Sequence, residues 1–306
     1  MTHLPLFWRA EWAKLTGAKY LCEGFYSSSN DLEIGFWESE VDFSLASVMQ
    51  VGNASYSLSP GASFGGILTA TNHENSATKL LESIVEYSTL DAHEIQIHFT
   101  EVPDFYYDVA PSQFTTQLPN SIRTSSRNDP CHYLHLPSWS TASISKGNRK
   151  KLRQTTEAGC EYHQLDSSRL NDVYNLLDSN RKINSLKMPV SFELLQRQME
   201  QFPDNYALHM LRIGNEIASA AITVDVWPKV NYVFMWAHSA AWASLSPTVA
   251  LCAGIVDWNR SRGIELVDLG TSGTAFDEQM SLSRFKENLG GIRSIRRHTT
   301  IHLSKR

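Results

Sequence analysis

The stretch ALHMLRI-GN-EIASAAITVDV-WPK-VNYVFMWAH, from Ala207 to His238, decides the fold class. It reads as three strands in a row, 207–213, 216–226 and 230–238, each rich in β-branched, aromatic and other apolar residues. Gly214-Asn215 joins the first two, a dipeptide that supplies the positive φ of a tight hairpin. The second pair turns at Trp227, Pro228 and Lys229. Upstream, 160–165 reads as a strand. A helix capped near Ser167 follows, with Leu170, Val173, Tyr174 and Leu177 on one face. A second helix starts after Pro189, is capped by Ser191 and runs to about Phe202. Downstream, Ser246 and Pro247 fit the N-cap and first position of a helix that ends at Arg262-Gly263. ELVDLG, 265–270, is a buried strand. SLSRFKENLGG is a short helix with Ser281 as cap and Gly290-Gly291 as stop, and 292–303 is the last strand. The order is β-α-α-β-β-β-α-β-α-β, so the fold class is α/β with a mixed sheet.

The first half has a similar outline, without a sequence repeat between the halves. Strands are expected at 32–37, 43–50 and 54–58, and SPGASFGG, 59–66, is a loop. Residues 76–88 carry Leu80, Leu81, Ile84, Val85 and Tyr87 at helical spacing. HEIQIHFT, 93–100, alternates as a half-buried strand does. Residues 104–116 are aromatic and ambiguous, 123–129 read as a polar turn, and 132–136 as a strand. Near the N-terminus Phe7, Trp8, Trp12 and Leu15 make a short amphipathic helix, expected to dock on the body. Between the halves lies SISKGNRKKLRQTTEAG, 143–159, where five of the eight residues 146–153 are basic and none is acidic. Ser145 caps a helix there and Gly159 ends it. The expected division is therefore 1–142 and 143–306, with the basic helix 145–158 at the junction. A length of 306 residues suits two domains at about 150 residues each.

Composition excludes several classes. Net charge is −5 and the pI is near 6.1, so the chain is not a general coat for DNA, though local basic sites are allowed. The four cysteines, Cys22, Cys131, Cys160 and Cys252, form no CxxC and read as reduced thiols. The eleven histidines show no HExxH or HxH spacing, so no metal is expected. No secretory leader and no apolar window of about 18 residues is seen, which predicts a cytoplasmic protein without a membrane span. Neither a G-x-S-x-G elbow nor a GxxxxGK[ST] loop occurs, against a hydrolase and a P-loop ATPase.

Three patterns in the second half carry a family resemblance. SKGNRKKLRQTTEAG looks like the segment S-K-x-x-R-R-x-x-R-x-A-x-x-x-G. Ser246-Pro247 opens an apolar helix closed by Gly263, before a strand ending Asp268-Leu269-Gly270. RFKENLGG, Arg284 to Gly291, looks like F-K-x-x-F-G-G. In this order they resemble the Fem-type branch of the GNAT acyltransferase superfamily, over about residues 143–303. The resemblance implies two GNAT-like domains in tandem with a cleft between them, and an N-acyltransferase.

An amine attacking a thioester or ester carbonyl needs orientation, proton removal and oxyanion stabilisation, and nothing covalent from the protein. Lys286 occupies the place of the lysine that the family uses for the tetrahedral intermediate, and Phe285 is the packing partner that aims it. Arg149 and Arg153 share a helix face at i, i+4 and could clamp a diphosphate, with Lys150 and Lys151 beside them. The helix start at Ser246 to Thr248 matches the place where GNAT enzymes receive the CoA pyrophosphate on backbone N–H groups. The usual loop R/Q-x-x-G-x-G/A is here HSAAWASLS, 238–246, without glycine. Asp268, with Asp225 and His238 as alternatives, is the candidate general base. The expected donor is acyl-CoA, with aminoacyl-tRNA as the alternative. The expected acceptor is an amine on a sugar, amino acid or peptide. A degenerate tandem acting as a binding module, its cleft filled by Trp236 or Trp242, is the rival from another class. The last residues, 286–306, carry six Lys/Arg against Glu287 alone and form a second basic segment.

Overall fold

The computed structural model describes residues 6–15, 19–24, 34–38, 47–51, 54–59, 69–70, 94–109, 114–115 and 123–304. The chain divides into two compact units, Met1–Asp129 with Ile295–Arg306, and Pro130–Ser294. Relative to the expected division at 142/143, residues 130–142 fall in the second unit and 295–306 in the first. Strand pairing is the reason: Cys131 to His135 pair within the second unit, and His298 to Ser304 pair within the first.

In the first unit, β1 (Lys19–Gly24), β2 (Ile34–Glu38), β4 (Ala54–Ser59), β3 (Ser47–Val51) and β6 (Glu94–Thr100) lie side by side in that order, followed by β14 (Ile292–Ser304). All these neighbours run antiparallel. β5 (Thr69–Ala70) and β7 (Phe114–Thr115) form a separate pair. The aromatic N-terminal helix is present as α1 (Ala10–Leu15), with Trp12 buried edge-on against Phe7 at 4.9 Å. The ambiguous segment contains a short helix α2 (Phe105–Val109), and β1 had no counterpart in the sequence reading. The helix expected at 76–88 and the loop from residue 60 lie outside the described residues. Of residues 123–129, expected as a turn, 124–129 instead belong to β8 (Thr124–His135). The sequence misleads there because 124–128 are exposed, so no apolar alternation marks the strand.

The second unit carries the site. Its strand order is β8, β13 (Leu266–Thr271), β12 (Val230–His238), β11 (Glu216–Trp227), β10 (Tyr206–Ile213) and β9 (Cys160–Leu165). Only the β12–β13 pair is parallel. Gly214, with φ of 58°, makes the β10–β11 hairpin turn. β10 and β11 are buried along almost their whole length, so both faces of the sheet are covered. The covering helices are α3 (Lys146–Glu157), α4 (Leu170–Ile183), α5 (Phe192–Gln201), α6 (Thr248–Ser261) and α7 (Met280–Asn288). Val249, Cys252 and Val256 of α6 share a core with Leu134, Leu136, Val267 and Leu269. α6 also lies close on β9: a Cβ at Gly254 would stand 2.3 Å from Cδ2 of Tyr162, so only glycine fits. Ser145 and Ser191 cap their helices as expected, accepting from the amides of Asn148 and Leu194. Ser281 does not: α7 starts two residues earlier than that cap implies, after Gln279, without a side-chain cap.

Candidate active site

β12 and β13 pair in parallel only at Val230, Asn231 and Tyr232, against Leu266, Val267 and Asp268. Beyond those three rungs both strands continue, to His238 and Thr271, without pairing to each other. Their C-terminal halves therefore part, and β12 beyond Tyr232 has no β13 partner across the gap. A bulge in β12 near Phe234, between the pairs Thr223–Val233 and Ile222–Met235, adds to the divergence.

The chain leaves β12 through a 3-10 turn, Ala240–Leu245, and enters α6. Ser246, expected to cap that helix, holds a left-handed conformation with φ of 49°, and Pro247 is the residue before the first helical turn. No side chain caps α6. Thr248 instead turns its hydroxyl to Ser219 Oγ and to His238 Nδ1, both at 3.3 Å. The 3-10 turn is held by the basic helix, but not by the residues expected to act. Lys151 Nζ donates to the Ser244 carbonyl at 2.6 Å and Thr155 Oγ1 donates to the Leu245 carbonyl at 3.2 Å. Arg149 uses its guanidinium on the carbonyls of Ala142 and Ile144, at the entrance of its own helix. Arg153 is exposed and sits 3.5 Å from Glu157, and Lys150 is exposed. Arg149 and Arg153 thus face different partners.

Lys286 is the best-defined cation of the unit. It is 2% exposed, and its ammonium donates to the carbonyls of Gly270 at 3.0 Å and Thr271 at 2.6 Å, the end of β13. A buried ammonium survives only where such acceptors replace water. Phe285, its neighbour on α7, meets the Trp236 ring of β12 edge-on at 5.9 Å.

The sequence did not point to His132. It is fully buried on β8, with Nδ1 3.2 Å from Ser272 Oγ and Nε2 3.3 Å from Ser283 Oγ. Ser272 follows the carbonyl that holds Lys286, and Ser283 stands one helical turn before Lys286 on α7. The imidazole therefore ties together the strand end and the helix that fix the ammonium. Ser283 also receives Arg293, which makes a bidentate pair with Glu278. Burial first, and then the Lys286 charge, lower the His132 pKa and keep the ring neutral. The Arg293 hydrogen bond holds Glu278 down at about 2.

The three carboxylate and imidazole candidates for the base differ in their surroundings. Asp268 is fully buried and accepts from the Gly270 amide at 2.7 Å, shaping the positive-φ turn at the end of β13. Asp225 is gripped by the Arg262 fork at 2.8 and 2.9 Å and by Asn231 at 2.7 Å. His238 is half-buried at the end of β12, its pKa lowered by burial, and it borders an open cavity.

Residues 142–286 match the family described as the acetyltransferase (GNAT) domain. No curated protein matches the chain. Among solved structures, FemX matches with a TM-score of 0.63 at 12% identity, over 96% of this chain and 91% of that one. L-PGS from Bacillus licheniformis matches with a TM-score of 0.54 at 12% identity, over 95% and 85%. A conserved protein of unknown function from Bacteroides thetaiotaomicron VPI-5482 matches with a TM-score of 0.54 at 9% identity, over 95% and 87%. Residues 142–286, nearly half of the chain, are thus similar to an acetyltransferase domain of the GNAT class. The chain's fold is similar to that of FemX, and three stretches of its sequence resemble Fem-type motifs. Among the described residues, no helix is long and apolar enough to cross a membrane.

Proposed function

We propose that the protein transfers an acyl group from an acyl-CoA thioester to an amine. The observation that carries this is the parting of β12 and β13 beside a buried ammonium. An extended arm bearing amides can lie in such a gap and bond to the β12 peptide groups that have no β13 partner, as an added strand would. The donor phosphates then lie toward the start of α6, where the helix dipole favours anions, with Lys151, which holds the preceding 3-10 turn, as nearby positive charge. The amine lone pair attacks the thioester carbonyl, a C–N bond forms, the C–S bond breaks and the thiolate leaves. Negative charge gathers on the carbonyl oxygen in between. Lys286 stabilises that oxygen by its charge, which a low-dielectric surrounding makes worth more than in water. His238 takes the amine proton, being the candidate base with a neutral ring open to a cavity.

An aminoacyl-tRNA donor is the second reading. It is favoured by Pro247, which lacks an N–H at the helix start, and by the loop 238–246, which has no glycine to bring backbone amides to a pyrophosphate. Calorimetric titration separates the two. The first reading expects CoA to bind with a Kd in about the micromolar to millimolar range. Binding of aminoacyl-tRNA without CoA binding selects the second, and binding of neither removes both.

A further inference from the structure

A cavity of about 470 Å³ opens beside the end of β12. One stripe of α4 forms its wall: Asp172, Asn175, Ser179, Asn180 and, toward its end, Ile183. Those positions and Leu176 lie on one helix face, which supplies the neutral polar groups of Asn175, Ser179 and Asn180 between the Asp172 carboxylate and an apolar floor of Leu176, Ile183 and Ile217. His238 and Ser239 close the opposite side. Asn180 Nδ2 donates to the His238 carbonyl at 3.0 Å and fixes the wall to the strand end. His238 Nδ1 is turned to Thr248 Oγ1, and its Nε2 makes no hydrogen bond among the described residues. No lysine or arginine lines the cavity, and its one charge is the Asp172 carboxylate, which Arg169 meets from outside at 2.6 Å.

We propose that this cavity is the acceptor site, and that the acceptor is a small hydroxylated amine such as an amino sugar, bound by Asn175, Ser179 and Asn180 with its nitrogen toward His238 Nε2. The inference rests on the acyl-transfer reading and names its second substrate class. The volume falls within the range of about 300–1,000 Å³ for small-molecule sites. Amide and hydroxyl side chains match sugar hydroxyls. The carboxylate and the absence of a lining cation select against an anionic acceptor, whose desolvated charge would find no partner. A peptide with a free carboxylate or a nucleotide-linked sugar is rejected on the same ground.

The test is direct binding to the full chain, measured by calorimetry or NMR titration, so it does not depend on turnover. The probes are D-glucosamine, D-glucose and glucosamine 6-phosphate. Glucosamine should bind at least about tenfold more tightly than either of the others. Ser179→Trp, an exposed position on α4, fills the cavity and should abolish glucosamine binding while leaving CoA binding unchanged. Asn175→Leu should weaken glucosamine by about three- to tenfold, the worth of one hydrogen bond. The proposal is overturned if glucosamine does not bind, if Ser179→Trp leaves its binding intact, or if the phosphorylated sugar binds more tightly. Glucosamine binding without any CoA binding would instead remove the acyl-CoA reading and leave the cavity assignment standing.

Discussion

The second unit holds two sets of cations, and they are used in opposite ways. The basic helix α3 has the denser charge, yet its cations are exposed or anchored at the surface. Arg149 and Lys151 bond to backbone carbonyls, Arg153 faces Glu157, and Lys150 faces solvent. Lys286 shares its helix with one other cation, Arg284, but it is buried, held by two strand-end carbonyls and braced through His132. Charge density in this sequence therefore marks exposed or surface-anchored cations, and the buried ammonium with a built shell of partners lies elsewhere. Exposed charges are worth about 0–1 kcal/mol each, whereas a buried one depends wholly on its partners.

The largest effect that sharpens this contrast is expected at Lys286. Lys286→Met should lower kcat by about 100- to 1,000-fold, the usual loss for one oxyanion donor, with the CoA Kd changed by less than about threefold. Steady-state kinetics with calorimetry reads both. An unchanged kcat would place Lys286 with the structural cations of α3.

Second is His132→Leu. It leaves the buried Ser272 hydroxyl without its ring partner, at about 1–3 kcal/mol of unfolding free energy in a urea titration. It should also lower kcat with KM held, because His132 acts through the placement of Lys286. A loss of stability with full kcat would make the bracket purely structural.

Third is pH. His209 is buried between Tyr162 Oη and Thr223 Oγ1, both at 2.8 Å, and burial lowers its pKa to about 3. The unfolded chain takes up that proton at the ordinary value of 6.5, so it binds one more proton than the fold between those two pH values. Stability is full above about pH 6.5 and falls as pH drops toward about 3, by up to about 1.4 kcal/mol per unit. His132, His238 and His298 are lowered too and add to the slope in the upper part of the window. His209→Gln should flatten the profile between pH 6 and about 4 in urea unfolding. An unchanged slope would show that the ring is not held neutral.

The smallest effect is expected on α3. Arg153→Ala should change stability by less than about 0.5 kcal/mol. With Lys150→Ala it should raise the CoA Kd by about two- to fivefold, less so at high salt. A large loss of stability would contradict the exposed, solvated state of these side chains.

Much of the second unit was legible because its strands and helices carry strong local signals. Gly214-Asn215 fixed one hairpin and Pro228 the next, and Val230–His238 was read to the residue. Ser145 and Ser191 marked helix starts by the hydroxyls that cap them. Two serines misled for a physical reason. Ser246 sits in a left-handed turn before α6, and Ser281 lies one residue inside α7, so neither hydroxyl meets the helix start. β8 was half missed because its first residues are polar and exposed. Lys286 was singled out by resemblance, but the bracket around it was not. His132 meets Ser272 and Ser283 across 140 and 151 residues, and no spacing along the chain encodes such contacts. Lys151 was hidden among four other basic residues, since only its position on α3 directs it to the Ser244 carbonyl.

Incubation of the full-length protein with acetyl-CoA and a panel of small amines, followed by mass spectrometry and thiol titration, is the most direct measurement. Acyl transfer at the parted strands predicts an N-acetylated amine and one free thiol per product molecule, with both lost in Lys286→Met. Thiol release without an amide product would mean hydrolysis, and neither product from any amine would contradict transfer from CoA altogether.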